Sequence, residues 1–381
     1  MVHVLIGTRA QLIKMAPVIL ELERRSMAVN LVMTGQHQET MAALLQDFGV
    51  ASAPVWLHTG REITGLGQVI PWFSRSLWRL TSRGSPLQSG ARGEAILVHG
   101  DTFSTLLGAL VGRIRGLRVA HIESGLRSFN VLHPFPEELT RLAVFRLAEI
   151  AFCPDAWSQS NLKSYRRLRA IDTQGNTLLD ALRIALQMQR PLPQPVPEGK
   201  FGVVSLHRFE NIFFKKRLAL ILDLLEEVAA RYPLVFVLHP ATRRNLTRYG
   251  YMHRLAENAR FHLRPRMGYF EFVTLLNRSA FVITDGGSNQ EELSYLGKPT
   301  LLMRRATERQ DGLGTHVTLS GYEQAKVLAF TENIEHRPNA STPPIDTMPS
   351  PSAIIVDTLA SLETDEKLDA RAMQHNIHAN E

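Results

Sequence analysis

Thr284-Asp285-Gly286-Gly287-Ser288-Asn289-Gln290-Glu291-Glu292 is the stretch that decides the fold. The apolar run Phe281–Thr284 leads into it with strand character, and Gln290–Tyr295 leaves it as a helix. Glycine at the turn lets the backbone bend sharply and approach a ligand closely. Exposed N–H groups at Gly287, Ser288 and Asn289 suit a diphosphate, and Glu292, one helical turn in, can reach ribose hydroxyls. Gly297-Lys298-Pro299 closes the helix.

The same unit recurs on either side. Gly202–Leu206, Leu234–Leu238 and Thr300–Met303 read as further strands, with helices over Leu218–Arg231 and Tyr269–Leu276. Earlier in the chain, strands are expected at Val2–Ile6, Val29–Thr34, Ala95–His99, Arg118–Ile122 and Ile150–Cys153, with helices at Leu12–Arg24, Glu39–Phe48 and Leu106–Ile114. Short buried strands joined by helices give an α/β protein with parallel sheets covered on both faces. Gln189–Lys200 carries four prolines and reads as a linker. The expected organisation is a first Rossmann-like domain over 1–185, a linker over 186–200, a second domain over 201–363 and a mobile polar tail over 364–381. Two doubly wound units hold a ligand in the cleft between them, facing the strands' carboxyl ends. Segment 65–92 is ambiguous. Trp72, Phe73, Leu77, Trp78 and Leu80 suit a core-facing, a partner-facing or, with Arg75, Arg79 and Arg83, a membrane-surface helix.

A length of 381 residues agrees with two domains. With 44% hydrophobic and 21% charged residues the chain is an ordinary globular one, not a disordered one. A single cysteine excludes an intrachain disulfide framework, and Cys153, on an apolar strand, reads as a small buried hydrophobe. Each apolar run is interrupted before the roughly 18 residues that span a bilayer. The N-terminal residues lack a secretory signal, so a cytoplasmic location is expected. The net charge of +7 suits an anionic ligand, but the basic residues are scattered in short clusters such as Lys215-Lys216-Arg217, which argues against nucleic acid.

Polar groups gather just after strands. Gly7-Thr8-Arg9 offers a glycine turn, a helix start and a guanidinium for a phosphate. His99-Gly100-Asp101-Thr102 and His121-Ile122-Glu123-Ser124 place Asp101 and Glu123 at adjacent strand ends, close enough to raise one pKa. Each acid alone is equally an N-cap, and Glu137, after Pro134 and Pro136, sits where a helix dipole favours an acid anyway. Their convergence in one half-chain points to proton transfer. His207-Arg208 and His239 supply cationic groups in the second half.

Together these residues resemble the non-hydrolysing UDP-N-acetylglucosamine 2-epimerases, from about Val4 to Gly321. The matching motifs are Gly7-Thr8-Arg9 with Ile13-Lys14-Met15-Ala16-Pro17, Thr34-Gly35-Gln36-His37, Val98–Thr102, His121–Arg127 and Pro136-Glu137-Glu138. Gly175-Asn176-Thr177 with Asp180, His207-Arg208, Gln290-Glu291-Glu292 and Leu296–Pro299 complete the series. The resemblance implies the GT-B arrangement of two Rossmann-like domains and inversion at C2 of UDP-GlcNAc to UDP-ManNAc. The implied route is elimination of UDP to a 2-acetamidoglucal, then re-addition, with neither nicotinamide nor metal as cofactor. It implies Asp101, Glu123 and Glu137 as catalytic acids, and His207 and Arg9 as groups that stabilise the leaving diphosphate. Gly287, Ser288, Glu292, Arg141 and His239 are implied at the substrate, and Gln36, Glu138 and Arg208 at an allosteric UDP-GlcNAc site. A homodimer is also implied.

The chain departs from the family in places. Ala10-Gln11 follows Arg9 where Pro-Glu is usual, which removes an acid and a helix-starting proline. Asp285-Gly286-Gly287-Ser288 replaces Asp-Ser-Gly-Gly, with Ser288 as the candidate substitute hydroxyl, and Gln38 stands where Arg is common. These changes are compatible with a related substrate such as a UDP-linked diacetamido or deoxy sugar. A hydrolysing 2-epimerase, a GT-B glycosyltransferase and a non-catalytic nucleotide-sugar-binding protein are the competing readings.

Overall fold

The structure, a computed structural model, describes residues 1–35, 38–57, 66–87, 94–130, 135–307, 309–335 and 345–362. The chain divides into two compact units, Met1–Ala181 with Pro349–Glu381, and Leu182–Met348.

The first unit holds strands β1 (Val2–Ile6), β2 (Val29–Met33), β3 (Val55–Trp56), β4 (Ala95–His99), β5 (Arg118–Ile122), β6 (Ile150–Cys153) and β7 (Arg169–Asp172). They form one parallel sheet in the order β3-β2-β1-β4-β5-β6-β7. Its helices are α1 (Arg9–Arg24), α2 (Gln38–Phe48), α3 (Leu66–Thr81), α4 (Phe103–Arg115), α5 (Glu137–Leu147) and α6 (Ala156–Ser160). Every residue of β1 and β4 is buried, as a sheet covered on both faces requires. Leu107 and Val111 of α4 join Leu5, Ile96, Val98 and Val119 in one core, each side chain contributing about 1.5–3 kcal/mol. Gly108 lets α4 lie that close: a Cβ there would meet Val98 Cγ1 at 2.5 Å. Cys153 is fully buried as expected, and burial pushes its thiol pKa up to about 12. The ambiguous segment forms α3, whose Trp72, Phe73 and Leu77 pack on the same core, so it faces inward. Residues 58–65 and 88–93 lie outside the described residues.

The helix α7 (Leu178–Met188) carries the chain from one unit into the other. The second unit holds β8 (Gly202–Ser205), β9 (Leu234–Leu238), β10 (Phe261–Pro265), β11 (Phe281–Thr284), β12 (Thr300–Leu302) and β13 (Val317–Leu319), parallel in the order β10-β9-β8-β11-β12-β13. Its helices are α8 (Phe209–Ile212), α9 (Lys215–Ala229), α10 (Pro240–Arg248), α11 (Tyr251–Glu257), α12 (Tyr269–Arg278), α13 (Gly287–Tyr295) and α14 (Gln324–Glu332). Leu218, Leu222 and Leu225 of α9 pack on Phe236, Phe281 and Ile283. Both units therefore have the strand order 3-2-1-4-5-6 of a Rossmann-like fold, with one further edge strand in the first. Among the described residues no helix is long and apolar enough to cross a membrane.

Two domain boundaries differ from the sequence reading. The division falls inside α7, and Leu192 and Val196 of the proline-rich stretch pack on the second unit's core. The chain also returns: helix 351–362 belongs to the first unit, where Ile355 and Val356 are buried, and Asp180 accepts hydrogen bonds from Ser350 Oγ (3.0 Å) and Ser352 N (2.8 Å). A short amphipathic helix after two prolines gives no local signal of which core it joins. The expected mobile tail lies outside the described residues.

Candidate active site

In a doubly wound sheet a ligand sits at the carboxyl ends of the strands flanking the point where strand order reverses. In the first unit that point lies between β1 and β4. Thr8 caps α1, accepting from Gln11 N, and Arg9 opens the helix. The Gln11 side chain accepts from Gly7 N (2.9 Å) and Thr8 N (3.1 Å) through Oε1. Through Nε2 it donates to His99 O (2.6 Å), Thr102 Oγ1 (3.0 Å) and Thr105 Oγ1 (3.1 Å). The substitution expected to cost an acid thus joins the ends of β1 and β4 with donors that a carboxylate lacks.

Glu123, just past β5, has φ of +60°, a left-handed backbone that a non-glycine residue adopts at a cost of about 1–3 kcal/mol. Lys14 Nζ at 2.5 Å and Asn176 Nδ2 at 2.6 Å donate to its Oε1, and the His99 ring stands beside Oε2, with Nε2 3.4 Å away and not hydrogen-bonded. Lys14 is only 6% exposed, so a buried ammonium of α1 neutralises this acid. Burial drives the His99 pKa down to about 3 and the His121 pKa to about 4, and both rings are neutral near pH 7. The His121 Nε2 lies 2.7 Å from Gly100 O, which fixes that nitrogen as the protonated one.

Asp101 follows β4 and receives Arg141 Nε (2.9 Å) and Nη2 (2.5 Å) on one oxygen. The same guanidinium reaches Glu138 Oε2 at 3.2 Å, and Arg127 Nε meets Glu138 Oε1 at 2.5 Å. Glu138 is fully buried. Burial opposes its ionisation, yet the hydrogen bonds from Arg127 and from Ser128 N outweigh that, and its pKa lies below the ordinary value. Removing one partner of such a buried network strands the others, so Glu138→Ala is expected to cost about 3–5 kcal/mol in denaturant unfolding. An unchanged midpoint would refute the role. Glu137, beside it in the first turn of α5, keeps Oε2 buried with no hydrogen-bond partner.

The expected mutual repulsion of Asp101 and Glu123 is therefore met by a separate cation for each: Arg141 for one, Lys14 for the other. Lys14, Asn176 and His99 are site residues that no single-residue reading singled out, although each lies inside a quoted motif.

In the second unit the reversal lies between β8 and β11. Asp285, fully buried after β11, accepts from His207 N (3.0 Å), Arg208 N (3.0 Å) and Asn211 Nδ2 (2.9 Å), and so shapes the turn after β8. His207 Nδ1 lies 3.4 Å from Asp285 Oδ1, and its ring lies 4.7 Å from that of His239, which precedes α10. Gly286 lies close to the His207 ring: a Cβ there would approach His207 Cε1 to 2.8 Å, so a side chain at this position would shift that ring. As N-cap of α13 it makes no side-chain cap bond, leaving the first-turn N–H groups of Gly287, Ser288 and Asn289 to receive an anion. Ser288 is exposed.

Glu291 and Glu292 are both buried. Glu291 accepts from Arg309 Nη1 at 2.6 Å, while the Tyr269 hydroxyl stands beside Glu292. Burial first, and that carboxylate second, raise the Tyr269 pKa well above its ordinary value. Gln290 holds the loop after β12 through Thr307, Arg309 O and Asp311 O. Arg208, the N-cap of α8, pairs with Glu210 at 2.5 Å. Gln36 lies outside the described residues.

Comparison with known proteins places this arrangement. The family described as UDP-N-acetylglucosamine 2-epimerase matches residues 20–348. The UDP-N-acetylglucosamine 2-epimerase of Neisseria meningitidis is 32% identical over 346 residues, covering 87% of this chain and 90% of the relative. The UDP-2,3-diacetamido-2,3-dideoxy-D-glucuronate 2-epimerase of Pseudomonas aeruginosa is 32% identical over 314 residues, 80% of this chain and 83% of the relative. A crystal structure of the Neisseria meningitidis UDP-GlcNAc 2-epimerase bound to UDP-GlcNAc superposes with a TM-score of 0.78 at 28% identity, over 94% of this chain and 99% of that one. A match across most of the sequence and nearly all of the fold goes with the acids, cations and glycine turn found at the two strand-order reversals, and the chain belongs to the UDP-N-acetylglucosamine 2-epimerase family.

Proposed function

We propose that this protein inverts C2 of a UDP-linked N-acetylhexosamine, interconverting UDP-GlcNAc and UDP-ManNAc or a close relative. The observation that carries the reading is the acid cluster of the first unit: two carboxylates, each charge-balanced by its own cation, and a third with an oxygen buried and unpartnered. The C2 proton of the sugar is weakly acidic, so its loss has to be coupled to departure of the nucleotide. A carboxylate takes that proton. The C1–O bond to UDP breaks with its electron pair going to the diphosphate, leaving a C1–C2 double bond in the 2-acetamidoglucal. Protonation at C2 from the other face and re-addition of UDP at C1 complete the inversion. Acid and base groups on opposite ring faces are needed, and Asp101, Glu123 and Glu137 are assigned to that work.

The second unit's residues are assigned to the nucleotide. First-turn N–H groups from Gly287 and Ser288 receive the diphosphate, His207 and His239 add hydrogen-bond donors, and Glu292 binds the ribose. Arg9 stabilises the charge that develops on the departing group. Arg141, through its fork on Asp101, orients an acid. Glu138 and Arg208, assigned to an allosteric site by resemblance, are engaged by internal partners, which supports a structural part for Glu138 at least. A homodimer and a cytoplasmic location belong to the same proposal.

Incubation with UDP-GlcNAc in deuterium oxide tests the reaction. Deuterium at C2 and a nucleotide-linked ManNAc signal are expected by NMR. Free sugar with UDP indicates hydrolysis, and no change without an acceptor indicates a transferase. Either result would overturn the reading. The Pseudomonas aeruginosa relative favours a second substrate, a UDP-diacetamido sugar, and a higher kcat/KM on it than on UDP-GlcNAc would select it.

A further inference from the structure

Three phenylalanines stand in solvent where α8 gives way to α9: Phe209 is 61%, Phe213 41% and Phe214 55% exposed. They touch each other rather than a core. The rings of Phe209 and Phe213 stack with centroids 4.6 Å apart, and Phe214 meets Phe209 edge-on at 5.6 Å. Scattered exposed apolar residues are ordinary, but three contiguous aromatic rings in water are not.

Cations lie next to the trio in the chain and on a helix packed against α8. Lys215 and Lys216 open α9 directly after it, and both are exposed. Helix α10 packs against α8, and its Tyr249 cap donates to Phe213 O at 2.6 Å, bringing exposed Arg248 alongside; Arg243 and Arg244 are exposed on the same helix. Among the described residues Lys215, Lys216, Arg243 and Arg244 have no acidic partner. The acid within α8, α10 and the first two turns of α9 is Glu210, and Arg208 neutralises it.

We infer that this surface docks the enzyme on an anionic lipid bilayer, the phenyl rings entering the headgroup–acyl boundary and the lysines and arginines resting on acidic headgroups. Aromatic residues backed by Lys and Arg are the chemistry of peripheral membrane attachment. Single-stranded nucleic acid also pairs cations with aromatics, but here the mutual stacking of Phe209 and Phe213 takes up one face of each ring and leaves less stacking surface for bases. The inference is independent of the reaction catalysed.

Co-sedimentation of the full chain with sucrose-loaded vesicles tests it. Phosphatidylcholine vesicles containing one-third phosphatidylglycerol are expected to carry the protein down at low salt. Pure phosphatidylcholine vesicles are expected to leave it in solution, and high salt to weaken the binding. Phe213→Ser with Phe214→Ser should lower vesicle affinity tenfold or more, and Lys215→Glu with Lys216→Glu by about fivefold per cation or more. Calorimetric UDP affinity, expected to be unchanged, verifies that both variants fold. Wild-type protein that ignores anionic vesicles overturns the inference, as does undiminished binding by both variants. Variants that alter self-association, RNA retention or KM for the UDP-sugar while vesicle binding stays constant overturn it too.

Discussion

Glu123→Gln is expected to slow C2 proton exchange by about 10²–10⁴-fold while UDP affinity stays unchanged, because the substitution removes a proton acceptor and spares the second unit. The side chain keeps its shape, and Asn176 can still hydrogen-bond to the amide oxygen. What changes is charge. Lys14, 6% exposed and 2.5 Å from Glu123, loses its anion, so the single variant is also expected to lose about 3–5 kcal/mol of stability. Chemistry and folding are separated by the double variant Lys14→Met/Glu123→Gln, which removes both charges. Stability should recover in denaturant melts, and exchange should not. Asp101→Asn is expected to slow exchange similarly, since the Arg141 fork then faces an amide. Deuterium incorporation by NMR measures the rate and calorimetry measures UDP affinity. Exchange within tenfold of wild type in both acid variants would remove these carboxylates from the mechanism.

Legibility in the sequence followed burial. Each central strand was an apolar run and was found within a residue of its observed bounds, but β3, β7, β10 and β13 were missed. Those four are the edges of the two sheets. Edge strands face solvent along one side, so they carry polar residues: Arg169-Ala170-Ile171-Asp172 in β7 has no buried residue, and His262 and Arg264 interrupt β10. The return of helix 351–362 was invisible for a different reason. Which core an amphipathic helix joins depends on a contact 170 residues distant, that of Asp180 with Ser350.

The candidate site was legible as a set of motifs rather than as a set of contacts. Asp101, Glu123 and His207 stand out because polar residues just after strands are conspicuous in an α/β chain, and Glu137 because it opens a helix after two prolines. Their partners were not conspicuous. Lys14 lies on a helix among apolar residues, and Asp285 looked like part of a glycine turn although its carboxylate organises the turn after β8. Gln11 looks like a loss when only its charge is weighed. Its amide supplies both donors and acceptors across two strand ends.

Acidification from pH 7 to pH 4 is expected to destabilise the first unit by about 6 kcal/mol, because His99 and His121 are buried neutral. Both have folded pKa values, about 3 and about 4, far below the ordinary 6.5, and in both burial is the dominant cause. Below about pH 6.5 the unfolded chain binds protons at these rings and the folded unit does not, so stability falls with pH by up to about 1.4 kcal/mol per unit for each ring. The loss runs down from about 6.5 and ends for each histidine only at its folded pKa. His3, also buried with a lowered pKa, acts in the same direction. Glu138 adds to the loss only below the ordinary carboxylate range, since its depressed pKa gives stability that is present above that range. Glu138, with its lowered pKa, stays ionised through the upper part of the window, so the histidines dominate there. All four tryptophans, Trp56, Trp72, Trp78 and Trp157, lie in the first unit, and their fluorescence reports its unfolding alone. Urea midpoints followed that way should fall steadily between pH 6.5 and 4.5. His121→Asn should lessen the slope by up to about one proton, or about 1.4 kcal/mol per pH unit. A midpoint that stays flat across that interval would mean that the rings are solvated or charged in the folded protein. If they are charged, Glu123 has the His99 cation beside it in addition to Lys14.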